Sequence, residues 1–235
     1  MGVLLTVLAA MATHALIGSN PPSVEERDAE AREARLHSDW PWLARYADDD
    51  VAMESSHRPV EVVFLGDSIT EFWRYSDPAF FRPGWVNRGI ARQTSPQIVL
   101  RFRQDVIALH PRVVHLMMGT NDIGGNTGPM TLDQTKGNFE TILDLARIHH
   151  IDVVVAALPP STKLDTRRIA ELNLWLRSLA ARPGVVFADY ASALETSDGR
   201  PRPGLMADGV HPSASGYHAM EPVARSALSQ FVNGA

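Results

Sequence analysis

Short apolar runs alternate with helical patterns along most of the chain, and this alternation constrains the fold more than any other feature of the sequence. Five runs are almost continuously apolar, as is typical of strands buried on both faces of a parallel sheet: Val60–Leu65, Trp85–Asn87, Val113–Met118, Ile151–Leu158 and Val185–Ala188. Apolar residues at three- and four-residue spacing predict helices over four further segments: Ser95–Leu109, Thr131–His149, Thr166–Arg182 and Ser213–Val232. Because successive β-α-β units have right-handed crossovers, the sequence predicts a three-layer α/β/α sandwich around a five-stranded parallel sheet.

The composition narrows the classes of partner and of chemistry. The chain has 235 residues, of which 45% are apolar and 21% are charged, so it is long enough for one sizeable globular domain. Its formal charge is −5 and no long basic run occurs, so nucleic acid is not an expected partner. The sequence has no cysteine, no HExxH sequence, no phosphate-binding loop and no GxGxxG sequence, so we expect neither a metal nor an organic cofactor.

The N-terminal segment is apolar. Val3–Ile17 is followed by a Gly-Ser-Asn-Pro-Pro stretch and resembles the hydrophobic region of a secretory signal. Residues 1–20 are therefore either a signal peptide, which directs the protein to the periplasm or out of the cell, or an N-terminal helix of a cytoplasmic protein. The apolar stretch is shorter than the roughly 20 residues of a membrane-spanning helix, so no stable membrane insertion is expected.

Residues 21–59 read as a helical lead-in before the regular domain, which we expect to span residues 60–235. Ser23 stands three residues before Glu26, which is the pattern of a helix capping box. Apolar side chains follow at Trp40 and Trp42, and they predict packing against the outside of the domain. The run of Asp48–Asp50 predicts an acidic turn.

Functional residues are expected just after the apolar runs, because ligands of open parallel sheets bind at the carboxyl ends of the strands. Gly66, Asp67 and Ser68 directly follow the first run. A serine at a strand-to-helix turn can project its hydroxyl into the cleft, while its amide lies at a helix N-terminus that favours developing negative charge. Ser68 is thus a candidate nucleophile. The alternative is that Asp67 and Ser68 only cap the following helix.

A second polar stretch, Gly119-Thr120-Asn121-Asp122, follows the third apolar run and belongs to the same edge of the sheet. The side-chain amide of Asn121 can donate a hydrogen bond to the oxyanion of a tetrahedral intermediate. The alternative is that Asn121 and Asp122 stabilise a turn.

A histidine and a carboxylate stand close together before the last predicted helix. Asp208 and His211 are three residues apart, and Gly209 between them lets the chain bend. A neutral histidine can take the proton of a serine hydroxyl when a carboxylate binds its other ring nitrogen. Hydroxyl, amide, carboxylate and imidazole therefore all fall at one predicted edge, and together they indicate far more than each does alone.

Four segments stand in the order and approximate spacing of the signature blocks of the GDSL/SGNH hydrolases: FLGDSIT, VNRGIARQT, MMGTND and DGVHP. From about Val60 onward the chain resembles this family, and within it the small bacterial acylhydrolases similar to platelet-activating-factor acetylhydrolase. The resemblance implies a flavodoxin-like sheet and metal-free ester hydrolysis. It also implies that Ser68 is the nucleophile, His211 the base and Asp208 the acid. The oxyanion hole would include the Ser68 N–H and the Asn121 side chain.

One block departs from the family pattern. In the family, a further oxyanion donor is the backbone amide of a glycine that stands five residues after an asparagine of this block. Five residues after Asn87, this chain has Arg92 in place of that glycine. The glycine of this block, Gly89, stands three residues before that position. A backbone N–H does not depend on the side chain, so Arg92 can still donate, although a side chain is strained there if the turn requires a positive φ. The Arg92 side chain either influences acidic or polar substrates or points into solvent.

The sequence therefore predicts a serine esterase that acts on short acyl esters, including acetyl groups on carbohydrate, through a covalent acyl-enzyme. Longer-chain lysophospholipids or acyl thioesters are the alternative among hydrolases, and a non-catalytic binding module on the same fold is the alternative outside them. Three aromatic residues after the nucleophile, Phe72, Trp73 and Tyr75, either wall an acyl pocket or pack in the core. The sequence does not indicate an oligomeric state.

Overall fold

The structure is a computed structural model that describes residues 23–233. The chain divides into two compact units, with the boundary between Trp40 and Pro41. The predicted lead-in of residues 21–59 is thus shared between the units, and the predicted signal or helix of residues 1–20 lies outside the described residues. No helix among residues 23–233 is long and apolar enough to cross a membrane.

In the described part of the first unit, residues 23–40, the chain forms the helix α1, which spans Val24–Ser38. Its first turn is closed by the predicted capping box. The Ser23 hydroxyl accepts a hydrogen bond from the Glu26 N–H at 3.1 Å, and the Glu26 carboxylate accepts one from the Ser23 N–H at 2.7 Å. This reciprocal pair satisfies two N–H groups that a helix start otherwise leaves unpaired.

The second unit is built on a five-stranded parallel sheet, which confirms the predicted flavodoxin-like α/β architecture. Its strands are β1 Val62–Gly66, β2 Trp85–Gly89, β3 Val113–Met117, β4 Asp152–Ala156 and β5 Val185–Ala188. The strand order is β2-β1-β3-β4-β5. From β1 the chain first adds β2 on one side, and it then adds β3, β4 and β5 in turn on the other side. The direction reverses between β1 and β3, and open parallel sheets bind their ligands at such a switch point.

In the described part of the second unit, the helix α2 Ala47–Ser56 precedes the first strand. Seven further α-helices connect or follow the strands: α3 Ser68–Ser76, α4 Ser95–Asp105, α5 Thr120–Gly124, α6 Leu132–Ile148, α7 Thr166–Ser178, α8 Tyr190–Leu194 and α9 Ala214–Leu228. Short 3₁₀ turns at Ile107–Leu109 and Leu179–Ala181 end two segments that the sequence predicts as continuous helices. The predicted acidic turn at Asp48–Asp50 is wrong. These residues form the first turn of α2, where the positive end of the helix dipole favours carboxylates.

Both faces of the sheet are covered, which explains why the strands are mostly apolar. On one face α4, α6 and α7 pack on alternate strand residues such as Val63, Val114 and Val155. On the other face α3, α8 and α9 cover Phe64, Val154 and their neighbours. The result is the three-layer α/β/α sandwich that the sequence predicts.

The register of the sheet aligns the ends of the three strands that precede the candidate site. Gly66, the last residue of β1, pairs with Gly89 of β2 and with Met117 of β3. The residues that follow these strand ends must therefore leave the sheet side by side. This alignment brings together the Ser68 turn, the loop at residues 90–94 and the Asn121 turn.

Candidate active site

Ser68 is the first residue of α3 and directly follows β1 and Asp67. Asp67 caps the helix, since its carboxylate accepts a hydrogen bond from the Ile69 N–H at 2.9 Å. Capping is thus the role of Asp67, and the Ser68 hydroxyl is directed elsewhere. The tight turn requires Gly66, because a Cβ at that position would lie 2.1 Å from the Thr70 hydroxyl and 2.5 Å from the carbonyl oxygen of Met117.

The Ser68 hydroxyl, His211 and Asp208 form one hydrogen-bonded chain. Ser68 Oγ lies 2.9 Å from His211 Nε2, and His211 Nδ1 lies 2.8 Å from Asp208 Oδ2. Because an ionised carboxylate only accepts hydrogen bonds, the neutral imidazole carries its proton on Nδ1. Nε2 then has a free lone pair toward the serine hydroxyl, which is the tautomer that a general base needs.

The loop that carries Asp208 holds the carboxylate in its ionised form. Asp208 Oδ1 accepts the backbone N–H groups of Val210 and His211, each at 2.9 Å. Partial burial raises the pKa of Asp208, but these N–H groups and the imidazole outweigh burial and hold the pKa well below its usual range. A charged Asp208 stabilises the imidazolium that forms when His211 takes a proton.

Gly209 shapes the same loop. Its φ is +86°, a left-handed conformation that favours glycine, as the predicted bend at this position requires. Its carbonyl oxygen accepts hydrogen bonds from the Ser161 hydroxyl at 2.7 Å and from the Thr162 N–H at 3.0 Å. The loop is therefore anchored to the segment that follows β4, and Asp208 and His211 are held in place by backbone geometry.

Arg92 lies in the loop after β2 with a φ of +70°, so the turn does impose the strained conformation. Its side chain is exposed. Among the described residues, no acceptor binds the Arg92 N–H, whereas the neighbouring Ala91 N–H donates to Glu71 Oε2 at 2.6 Å. The backbone amide of Arg92 is therefore available as a donor, and the conformation that frees it is one that arginine adopts at a cost of about 1–2 kcal/mol.

Asn121 lies in the first turn of α5, after β3. Its Nδ2 donates to the Gln93 carbonyl oxygen at 2.8 Å, and its Oδ1 accepts from Asn126 Nδ2 at 2.8 Å. An amide nitrogen has two hydrogens, so one remains for a ligand. The neighbouring Asp122 accepts from the Ser95 N–H at 2.9 Å and the Thr135 hydroxyl at 3.0 Å, so the turn-stabilising role falls to Asp122.

Comparison with known proteins decides the family. The sequence profile of the GDSL-like Lipase/Acylhydrolase family matches residues 64–219, which is more than half of the chain. The chain belongs to the GDSL-like lipase/acylhydrolase family. It is a carboxylic ester hydrolase, as the sequence predicts. No curated protein matches it significantly.

Solved structures agree with this assignment. A proposed acylhydrolase from Bacteroides fragilis is 36% identical, with a TM-score of 0.74 over 82% of this chain and 98% of its own. A GDSL-like lipase from Bacteroides thetaiotaomicron is 34% identical, with a TM-score of 0.75 over 83% of this chain and 100% of its own. An acetylxylan esterase from Geobacillus stearothermophilus is 18% identical, with a TM-score of 0.60 over 72% of this chain and 94% of its own, and shares the fold.

Asn126 is a residue of this GDSL-like hydrolase that the sequence reasoning missed. Besides holding Asn121 Oδ1, its Nδ2 donates to the Arg92 carbonyl oxygen at 3.3 Å. One side chain thus connects the two loops that carry Asn121 and Arg92. The sequence signal was weak, because an asparagine after Gly124 and Gly125 is typical of any polar turn.

The loop at residues 90–94 is also held by hydrogen bonds to two charged side chains, Arg101 and Glu71. The Arg101 guanidinium is fully buried and donates to Gln93 Oε1 at 2.6 Å and to the Gly66 carbonyl oxygen at 2.8 Å. Glu71 accepts the Ala91 N–H and also pairs with Arg45 at 3.2 Å. These contacts tie the loop to the ends of β1 and α3, so its amides are held before substrate binds.

The three aromatic residues after the nucleophile have separate environments in this hydrolase. Trp73 is fully buried in the core, and Tyr75 is exposed. Phe72 is partly exposed, and its ring centre lies 5.3 Å from that of His211. Of the three, only Phe72 lies beside the candidate site.

Proposed function

We propose that this ester hydrolase cleaves short-chain acyl esters of the acetyl type through a Ser68-His211-Asp208 triad and a covalent acyl-enzyme. The hydrogen-bonded chain from Ser68 Oγ through the imidazole to Asp208 is the observation that carries the proposal. A serine hydroxyl is a weak nucleophile, and an adjacent oriented base is the usual way to activate it.

In the acylation step, His211 Nε2 takes the hydroxyl proton while Ser68 Oγ attacks the ester carbonyl carbon. The negative charge that forms on the carbonyl oxygen is stabilised by the backbone amides of Ser68 and Arg92 and by the Asn121 side chain. His211 then gives its proton to the leaving alcohol, and the acyl group remains on Ser68.

Deacylation reverses these roles with water as the nucleophile. His211 takes a proton from water as the water attacks the acyl carbon, and the same three donors stabilise the second tetrahedral intermediate. His211 returns the proton to Ser68 Oγ when the C–O bond breaks, so that the acid leaves and the serine is regenerated. Asp208 keeps its charge throughout and stabilises the imidazolium in both steps.

Acetyl groups on carbohydrate are the first class of natural substrate to test, because a protein that shares this fold is an acetylxylan esterase. Longer acyl chains are the alternative. A long acyl chain needs a deep apolar channel at the nucleophile, so the acyl chain length that is cleaved fastest distinguishes the two.

Hydrolysis of p-nitrophenyl esters from acetyl to dodecanoyl tests the proposal. We expect the largest kcat/KM for the shortest acyl groups and a loss of about 10⁴-fold or more in kcat for Ser68→Ala. Ser178→Ala changes an exposed helix serine and is the matched control, with activity unchanged. A long-chain optimum would replace the short-chain assignment, and turnover that survives in Ser68→Ala would refute the triad.

A further inference from the structure

Asp77 carries a buried carboxylate oxygen that the fold leaves without a hydrogen bond. Asp77 follows the last residue of α3, and its side chain is only 7% exposed. Among the described residues, none donates a hydrogen bond to its Oδ2. His218 Nδ1 lies 3.4 Å from this oxygen, within ion-pair distance for a protonated imidazole, but the two atoms do not form a hydrogen bond. A buried carboxylate oxygen without a donor is unfavourable, so this site favours the arrival of a positive charge.

Two further metal-ligand side chains face the same point from α9. His218 and Glu221 are three residues apart on this helix and so lie on one face. One ligand atom each from Asp77, His218 and Glu221 can be chosen such that all three lie within 4.8 Å of one another. The cluster therefore combines an imidazole nitrogen with two carboxylate groups, and one carboxylate oxygen is buried and unpaired.

We propose that Asp77, His218 and Glu221 bind a Zn²⁺ ion, with water as the fourth ligand. Zn²⁺ takes nitrogen and oxygen ligands at about 2.0–2.2 Å, which places the ligand atoms of a tetrahedron roughly 3.4 Å apart. The distance from Asp77 Oδ2 to His218 Nδ1 already has this value at 3.4 Å. His218 is 62% exposed on its side chain, so a rotation of its ring can complete the geometry without disturbing the core.

Arg225 limits how tightly the ion is held. Its Nε donates to Glu221 Oε1 at 2.8 Å, which leaves the second oxygen of the carboxylate for a cation. The guanidinium charge nevertheless opposes a nearby cation. The site is therefore expected to be weaker than the closed zinc sites of three or four histidines and cysteines.

The ion would join the end of α3, the helix that begins with the nucleophile, to α9, the helix that follows the base. α3 begins with Ser68 and ends beside Asp77, and α9 begins just after His211. The Tyr217 hydroxyl already joins them by donating to the Ile69 carbonyl oxygen at 2.9 Å. A Zn²⁺ ion at the far end of α3 adds a second clamp between these helices. The ion takes no part in ester hydrolysis and acts on stability.

Thermal unfolding of the whole chain with and without ZnCl₂, after removal of metal with EDTA, tests the site. At a Zn²⁺ concentration about 100-fold above Kd, we expect the Tm of the wild type to rise by about 5–10 °C. His218→Ala should abolish the rise, and Asp77→Asn should weaken Zn²⁺ binding at least tenfold by calorimetry. His149→Ala, which changes an exposed histidine on α6's C-terminal side, should keep the full rise.

His211→Ala distinguishes the proposed site from zinc binding at the triad. It leaves Asp77, His218 and Glu221 intact, so the rise in Tm should persist. The proposal is overturned if His218→Ala keeps the rise, if His211→Ala loses it, or if the wild type shows neither a Tm shift nor binding heat with millimolar Zn²⁺. These outcomes do not depend on esterase activity.

Discussion

Ser68 Oγ and His211 Nε2 lie 2.9 Å apart although 143 positions separate the two residues in the chain. The contact forms because Ser68 begins the helix after β1, while His211 precedes α9, and both helices cover the same face of the sheet. Asp208, three residues before His211 in the sequence, hydrogen-bonds to the other ring nitrogen of His211. The proposed base and acid are therefore placed by one short loop, and the proposed nucleophile by another.

Removing the charge of Asp208 is expected to lower turnover strongly. In Asp208→Asn the amide can donate to His211 Nδ1 and so favour the wrong tautomer, which we expect to lower kcat by about 10²–10⁴-fold with little change in KM. The measurement is steady-state hydrolysis of p-nitrophenyl acetate. Asp198→Asn, a change in an exposed loop residue, is the control. A kcat within about threefold of the wild type would show that Asp208 does not orient the base.

Asn126 is expected to position the oxyanion donors without contacting substrate. Asn126→Ala removes the hydrogen bonds to Asn121 and Arg92, and we expect kcat to fall about 10- to 100-fold while KM stays nearly constant. Asn126→Gln keeps the amide donor and should restore part of kcat, whereas Asn126→Asp should not. Asn126 is exposed, so a loss of Tm with unchanged kcat would instead indicate a purely structural role.

Arg92→Gly is expected to stabilise the fold. Glycine relieves the strain of the +70° φ, which stabilises the folded state by about 1–2 kcal/mol. Glycine also makes the unfolded chain more flexible, which lowers the free energy of unfolding by about 0.5–1 kcal/mol. The net gain of up to about 1.5 kcal/mol corresponds to a Tm higher by up to about 3–6 °C. Arg92→Ala keeps the strained backbone and should show no such rise. A lower Tm in the glycine variant would mean that the Arg92 side chain stabilises the loop.

The same two variants, Arg92→Gly and Arg92→Ala, test whether the charge of the Arg92 side chain affects substrate preference. Both remove the cation and keep a backbone N–H, so both should lose preference for an anionic ester over a neutral ester of equal size. The measurement is the ratio of kcat/KM for the two esters at low ionic strength, where charges are least screened. An unchanged ratio in both variants would show that the side chain only points into solvent.

Asp67 is expected to make stability depend on pH. Burial raises the pKa of its carboxyl, whereas the hydrogen bond from the Ile69 N–H and the nearby His211 lower it. The effect of burial is larger, and the pKa is about 7. The folded pKa is thus above the unfolded value of about 3.9, so this contribution to stability is complete below about pH 4 and is lost as pH rises through 7. Asp67→Asn keeps the capping oxygen and should flatten the decline in Tm between about pH 4 and 7. An equally steep decline in the variant would contradict the raised pKa.

The sequence predicts the sheet well because its central strands are buried on both faces. Val113–Met117 and Val185–Ala188 have almost the predicted bounds, since apolar residues predominate between the two helical layers. The buried His115 in β3 is the exception, and its Nε2 lies 2.8 Å from the Tyr190 hydroxyl. The predicted strand at Ile151–Leu158 is longer than the observed Asp152–Ala156, because Ala157 and Leu158 remain buried after the ladder has ended. Burial and strand pairing give the same apolar signal, so the pattern cannot locate the end of a strand.

The sequence predicts the principal residues of the candidate site, but it does not predict the contacts that hold these residues in place. Ser68, Asn121, Asp208 and His211 stand in short motifs at strand ends, and each motif is local in sequence. The bond from Asn126 to Arg92, 34 positions away, joins two loops and leaves no local pattern. The φ of Arg92 is +70°, and the residue type of arginine does not indicate a positive φ.

Labelling with a fluorophosphonate reports directly on Ser68 as the proposed nucleophile, because such a reagent reacts with an activated serine and leaves a stable adduct. Intact mass spectrometry and peptide mapping of the wild type should show one adduct, on Ser68. The adduct should be absent in Ser68→Ala and should form at least about 100-fold more slowly in His211→Ala. An enzyme that hydrolyses esters but is labelled at another residue, or is not labelled, would contradict the account.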